Sequence, residues 1–152
     1  RWRYLKAYEE QANHHSIMFL KEVIERFKYK IQAVKTDNGS IFTNRYLGTN
    51  RRSDFSFKTL HSLDEFCAKY NIIHYLIDPG KPAQNGTVER SHREDQEKFY
   101  DQNRFKSFSD LQKKMKIWND YYNNLEHCGL NGKSPNEFLQ NYKLINPPNV
   151  CA

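Results

Sequence analysis

The sequence predicts an α/β domain, and three observations carry that expectation. Two short runs have strand character: 30–36, with Ile31, Ala33 and Val34, and 71–77, with the order Asn-Ile-Ile-His-Tyr-Leu-Ile. Apolar residues at helical spacing precede each of them. The first run stops at Asp37-Asn38-Gly39, a strong turn signal. A strand–helix–strand order predicts parallel pairing of the two strands through a right-handed crossover. Sheets of that kind gather reactive groups beyond the carboxyl ends of their strands, where Asp37 stands.

Taken in order, 1–8 alternates Trp2, Tyr4 and Lys6 against Leu5 and Ala7 and reads as another strand. The stretch 11–28 holds Ile17, Leu20, Val23, Ile24 and Phe27, an amphipathic helix with its apolar stripe on a sheet. The stretch 40–57 contains Arg45, Arg51, Arg52 and Gly48 among small polar residues and reads as a mobile basic excursion. A helix over 59–70 carries Leu60, Leu63, Phe66 and Cys67, and the buried strand 71–77 follows. Asp78-Pro79-Gly80-Lys81-Pro82 breaks the chain before a long polar helix over 83–103. The helix 108–125 lines up Leu111, Met115, Trp118, Tyr122 and Leu125. Ser134-Pro135-Asn136-Glu137 opens a last helix, with Ser at the N-cap, Pro in the first turn and Glu three residues after Ser.

Composition narrows the function classes. Of the 152 residues 24 are Lys or Arg and 18 are Asp or Glu, a basic balance that suits a polyanionic partner and also occurs in ordinary domains. Ten Phe and ten Tyr supply enough apolar area for a core despite the low mean hydropathy. Cys67, Cys128 and Cys151 are far apart, which argues against a disulfide framework or a cysteine zinc site and for a reducing cytosol. No run approaches transmembrane length and no signal peptide is visible. The chain opens at Arg1 directly into a strand-like pattern and reads as an excised segment.

Two segments stand out for chemistry, 35–42 around Asp37 and 79–93 around Glu89. Each sets an acid beside a tight turn. Carboxylates from separate elements can share Mg²⁺, which takes oxygen ligands and keeps several waters. Two such ions about 4 Å apart clamp the attacking and leaving oxygens of an in-line phosphoryl displacement. Nearby glycines let a DNA backbone approach closely, and Arg90 and Arg93 can hold phosphates. Each motif alone has a plainer reading: a turn for Asp37-Asn38-Gly39, helix-start electrostatics for Glu89, and a solvated face for Arg90 and Arg93 beside Glu94, Asp95 and Glu97.

Thr36-Asp37-Asn38-Gly39-Ser40 with Phe42, followed by Pro79 to His92 with Asn85-Gly86 and Glu89-Arg90, resembles the integrase-core signature of bacterial insertion-sequence transposases and retroviral integrases. Trp118 to Asn123 and Leu130 to Leu139 resemble the closing pattern of the same family, which is the DDE-type transposases and integrases. The resemblance implies a ribonuclease H-like integrase core, partial because two strands and the first catalytic acid would precede Trp2. It implies 1–125 as that partial core and 126–152 as a C-terminal helical extension and tail. Asp37 matches the second acid of the catalytic triad and Glu89 the third, both as catalytic and metal-binding residues. DNA contacts are implied for Asn85, Arg90, Arg93, Arg51 and Arg52. The implied reaction is DNA strand cleavage and strand transfer with Mg²⁺ or Mn²⁺. The implied partners are element-end and target DNA and further copies of the chain, with no membrane, in the bacterial cytoplasm.

This sequence departs from the family pattern in three places. Glu89 follows Asp37 by 52 positions, a longer separation than usual, with the excess in 40–57. Leu125-Glu126 precedes His127 where the pattern usually has an Arg. No Asp occurs before Asp37, so the chain alone is expected to be inactive in strand transfer. The competing readings are a non-catalytic DNA-binding remnant of a decayed mobile element and a Mg²⁺ nuclease sharing the fold.

Overall fold

The computed structural model describes residues 2–27, 29–45 and 60–145. They divide into two units. One comprises 8–102 and the other joins 2–7 to 103–145.

The first unit contains α1 (Asn13–Phe27), β1 (Ala33–Thr36), α2 (Ser62–Lys69), β2 (Ile73–Leu76) and α3 (Gly86–Asp95). β1 and β2 pair in parallel with Ala33 opposite Ile73 and Thr36 opposite Leu76, the pairing expected from the element order. Their core is Leu20, Leu63, Phe66, Cys67 and Ile72, with Ile17, Ile24, Ile31, Val34 and Phe42 packed against it. Ile17, Leu20 and Ile24 recur at three- and four-residue steps, so one stripe of α1 supplies the helix side of this core. His61 occupies the N-cap of α2, its Nδ1 accepting from the Leu63 N–H.

Three expectations change here. The strand 71–77 is covered on one face rather than buried, because Ile73 and Tyr75 are both more than half exposed. Leu60 is also exposed and lies outside the apolar stripe of α2. Of the predicted mobile stretch, 40–45 folds into a turn against the core. Phe42 packs on the core and Thr43 is buried, with Phe42 N–H bonded to the Gly39 carbonyl at 2.9 Å. The remainder of that stretch, with Arg51 and Arg52, lies outside the described residues.

The polar helix expected over 83–103 is a composite. A 3₁₀ turn at Pro82–Asn85 runs into α3, and α3 runs into a π-helical turn at Gln96–Tyr100.

The second unit contains α4 (Phe108–Asn124) and α5 (Pro135–Ile145), which pack on each other. Ser107 caps α4, its Oγ accepting from the Asp110 N–H. The capping box read at α5 is present: Glu137 N–H donates to Ser134 Oγ and Ser134 N–H donates to Glu137 Oε2 at 2.8 Å. Between the helices His127 pairs with Lys133 in an antiparallel bridge, and Asn131 and Gly132 adopt positive φ to make the turn.

The predicted strand 1–8 joins no sheet among the described residues. It runs along α4 instead. Asn123 accepts from the Arg3 N–H and donates to the Arg3 carbonyl, and Asn119 does the same for Leu5. Gln112 donates to the Ala7 carbonyl. Two strand residues advance about 6.7 Å and four helix residues about 6 Å, so amides four apart on a helix match backbone groups two apart on an extended chain. The segment keeps a period of two in its backbone bonding, but helix side chains take the place of a neighbouring strand. Arg3 is buried, with its guanidinium 3.6 Å from the centre of the Tyr122 ring.

Candidate nucleic-acid and metal site

Asp37 follows the last residue of β1 and is exposed. Its Oδ1 accepts from the Gly39 N–H at 2.9 Å, and this bond closes the turn predicted from Asp-Asn-Gly. A Cβ on Gly39 would stand 3.0 Å from that same oxygen, so glycine leaves room for the carboxylate. Asn38 turns the other way. Its Nδ2 donates to the Ile77 carbonyl just beyond β2, which ties together the two segments leaving the carboxyl edge of the sheet. That bond fixes the amide orientation. The Asn38 Oδ1 is then a buried acceptor with no hydrogen-bond partner among the described residues.

The segment after β2 is braced in turn. Gln84 accepts from the Asp78 N–H and donates to Asp78 Oδ2, and Lys81 adds an exposed bond to the same carboxylate. The Gln84 and Lys81 bonds hold the Asp78 carboxyl below its ordinary range. Gly80 makes the reversal with φ of +75°. The start of the helical run 82–100 is thereby fixed to the end of β2. Glu89 lies in the first turn of α3 and is exposed, as are Arg90 and Arg93. Asp37 and Glu89 therefore project from two segments that both begin at the carboxyl edge of the two-stranded sheet.

The plainer reading of the arginines loses ground. Glu94 pairs with Lys98 at 2.8 Å, and no ion pair among the described residues engages Arg90 or Arg93. Asn85, half-buried, ends the 3₁₀ turn without acting as a side-chain cap, and the space beside Gly86 is open. The α3 face thus presents two exposed guanidinium groups around Glu89.

One constellation escaped sequence reading. His74 on β2 has a buried imidazole, its Nδ1 2.6 Å from Asp64 Oδ1 on α2 and its Nε2 2.9 Å from Thr36 Oγ1. Thr36 immediately precedes Asp37 and also bonds to its carbonyl. The order hydroxyl, imidazole, carboxylate is that of a nucleophilic triad. Here it anchors the end of β1 to β2 and α2. The signal was a histidine inside the apolar run 72–77, with its acid ten positions upstream.

Comparison with known proteins decides the family. Residues 70–135 match the family model described as integrase core domain, a span that includes Glu89. ORF3 of Spiroplasma virus SpV1-C74, which carries the name of an integrase, is 31% identical over 147 residues, or 91% of this chain and 39% of ORF3. The chain carries an integrase core. This integrase core, of the DDE transposase and integrase type, is also 26% identical over 113 residues to the 39.2 kDa protein of insertion element IS476 of Xanthomonas euvesicatoria. That match covers 74% of this chain and 28% of the IS476 protein. The chain thus spans less than two fifths of the curated relatives it matches. Its fold is similar to that of the catalytic core domain of BIV integrase, with a TM-score of 0.62 at 18% identity, covering 92% of this chain and 79% of that one. The integrase core is therefore ribonuclease H-like in fold. No helix among the described residues is long and apolar enough to cross a membrane.

Proposed function

We propose that this integrase core performs metal-dependent DNA strand cleavage and strand transfer, with Asp37 and Glu89 as two of its site acids. The observation that carries the reading is their shared origin at the carboxyl edge of the sheet, braced by Asn38 on the Ile77 carbonyl and by Gln84 on Asp78. The donor set fits a hard cation, because both side chains are exposed carboxylates that offer oxygen ligands. Mg²⁺ or Mn²⁺ held there would supply Lewis-acid stabilisation of a phosphoryl displacement. Asn85, Arg90 and Arg93 would engage DNA phosphates beside Glu89, and Arg51 and Arg52 extend the same role. The partners are element-end and target DNA, with further copies of the chain.

With Asp37 and Glu89 alone as site acids, the 152-residue chain assayed by itself holds metal loosely and leaves labelled DNA ends unjoined. The test has two arms. Mn²⁺ added to the chain should broaden the NMR signals of residues around Asp37 and Glu89, and Asp37→Asn should relieve that broadening at both places. Relief at one place alone would separate the two acids and overturn the assignment. In the second arm, Mg²⁺- or Mn²⁺-dependent nicking of DNA by this chain, abolished by Asp37→Asn, would show that a further acid within the chain completes the site.

A further inference from the structure

Outside the Asp37–Glu89 region, another set of donors gathers where the chain enters α1. A carboxylate oxygen of Glu10 and one ring nitrogen each of His14 and His15 all lie within 4.8 Å of one another. All three belong to the first unit and lie at or near its surface. We propose that Glu10, His14 and His15 form a three-ligand site for a transition-metal dication, Zn²⁺ in the first instance, with a fourth position open to water or an outside donor.

The chemistry of the donors selects the metal. Imidazole suits Zn²⁺ and its first-row neighbours, whereas Mg²⁺ takes oxygen ligands. This set is therefore of a different class from the Asp37 and Glu89 carboxylates, and the proposal stands whether or not those act in strand transfer. Two histidines and a carboxylate with one position open is a ligand set that tetrahedral zinc accepts.

One ligand is already oriented. The Glu10 carbonyl can only accept, so the 3.0 Å contact from His15 Nδ1 requires that nitrogen to carry the proton. Nε2 then holds the lone pair that a metal needs. A backbone carbonyl fixing the second ring nitrogen in this way is the usual support of a metal-bound histidine. The Tyr8 ring stacks on His15 with centroids 4.5 Å apart and planes inclined by 21°, which holds the imidazole in place. His14 is less constrained, its ring tilted 54° against His15 at a centroid distance of 4.0 Å. Donor atoms around tetrahedral zinc stand about 3.3 Å apart, given bonds of about 2.0 Å. The three groups thus close by a side-chain adjustment, with the ladder of α1 unchanged. Glu10 precedes the helix and the histidines are in its first turn, so a bound ion ties the loop 8–12 to α1.

The test is a Zn²⁺ titration of the full chain in competition with a chromophoric chelator, with Co²⁺ as a spectroscopic substitute. One ion per chain is expected, weakened at least about tenfold by His14→Ala or by His15→Ala. The Co²⁺ complex should show d–d bands without thiolate charge transfer, which separates this site from Cys67 and Cys128. Excess Mg²⁺ should leave Zn²⁺ in place. Because all three residues are at the surface, far-UV circular dichroism should be the same in parent and variants. Undiminished Zn²⁺ binding in the double variant, a thiolate band with Co²⁺, or no Zn²⁺ binding by the parent chain would overturn the proposal.

Discussion

Gly39 donates its backbone N–H to the carboxylate of Asp37, and a side chain on Gly39 would stand 3.0 Å from the same oxygen. The turn and the acid are therefore one unit of geometry. Gly39→Ala has an allowed backbone, since Gly39 is not among the residues with positive φ. The added methyl group presses on Oδ1 and moves it by a few tenths of an ångström. We expect Mn²⁺ affinity to fall several-fold while the melting temperature changes little. A variant that binds Mn²⁺ like the parent would detach the Asp37 turn from metal binding.

Asn123 serves both backbone groups of the buried Arg3, so Asn123→Ala leaves a buried donor and a buried acceptor unmatched. At about 1–3 kcal/mol for each of the two orphaned groups, the expected loss is about 2–6 kcal/mol. Both tryptophans of the chain, Trp2 and Trp118, belong to this same unit. Urea unfolding followed by tryptophan fluorescence therefore reads that unit directly. Asn123→Asp keeps the acceptor and should still lose stability, because its oxygen faces the Arg3 carbonyl.

Acid should weaken the helix starts. Glu137 is held below the usual carboxylate range by the Ser134 N–H and then by the Ser134 hydroxyl. Asp110 is held down first by the Lys106 N–H. A carboxyl whose folded value is depressed contributes stability above its unfolded value and loses it as pH falls through the folded one. The melting temperature should thus decline below the ordinary carboxylate range. Glu137→Gln retains a capping oxygen but cannot titrate, so it should flatten that decline while leaving the neutral-pH value nearly unchanged.

DNA binding should be independent of sequence and steeply dependent on salt, because phosphate contacts release counterions. Replacing both Arg90 and Arg93 with Gln should reduce the slope of log K against log salt by about two. Fluorescence anisotropy with two unrelated duplexes measures both the slope and the sequence preference. An unchanged slope would remove the α3 face from the DNA interface.

The parts legible in the sequence were those governed by local rules. The α1 stripe, the Asp-Asn-Gly turn, the parallel pairing of β1 with β2 and the Ser134–Glu137 box each follow from residues a few positions apart. The parts missed depend on distant partners. Asn119 and Asn123 look like ordinary polar positions of α4, and nothing local reveals that Leu5 and Arg3 need them. His74 stands in an apolar run, and its bonds to Asp64 and Thr36 exist because two strands and a helix meet there. Asp37 and Glu89 were found through family resemblance, since each alone reads as a turn residue or a helix-start acid.

The Asn clasp on 2–7 also sets a timetable for biosynthesis. Leu5 leaves the ribosome 114 residues before Asn119, and Arg3 waits 120 residues for Asn123. At roughly 5–20 residues per second the early segment is without its helix for roughly 6–24 seconds. Throughout that interval a run containing Trp2, Tyr4 and Leu5 carries unpaired backbone groups, while the sequence of the first unit is completed behind it. A nascent chain stalled before residue 119 should therefore show this segment open to protease, and one released after 124 should show it protected.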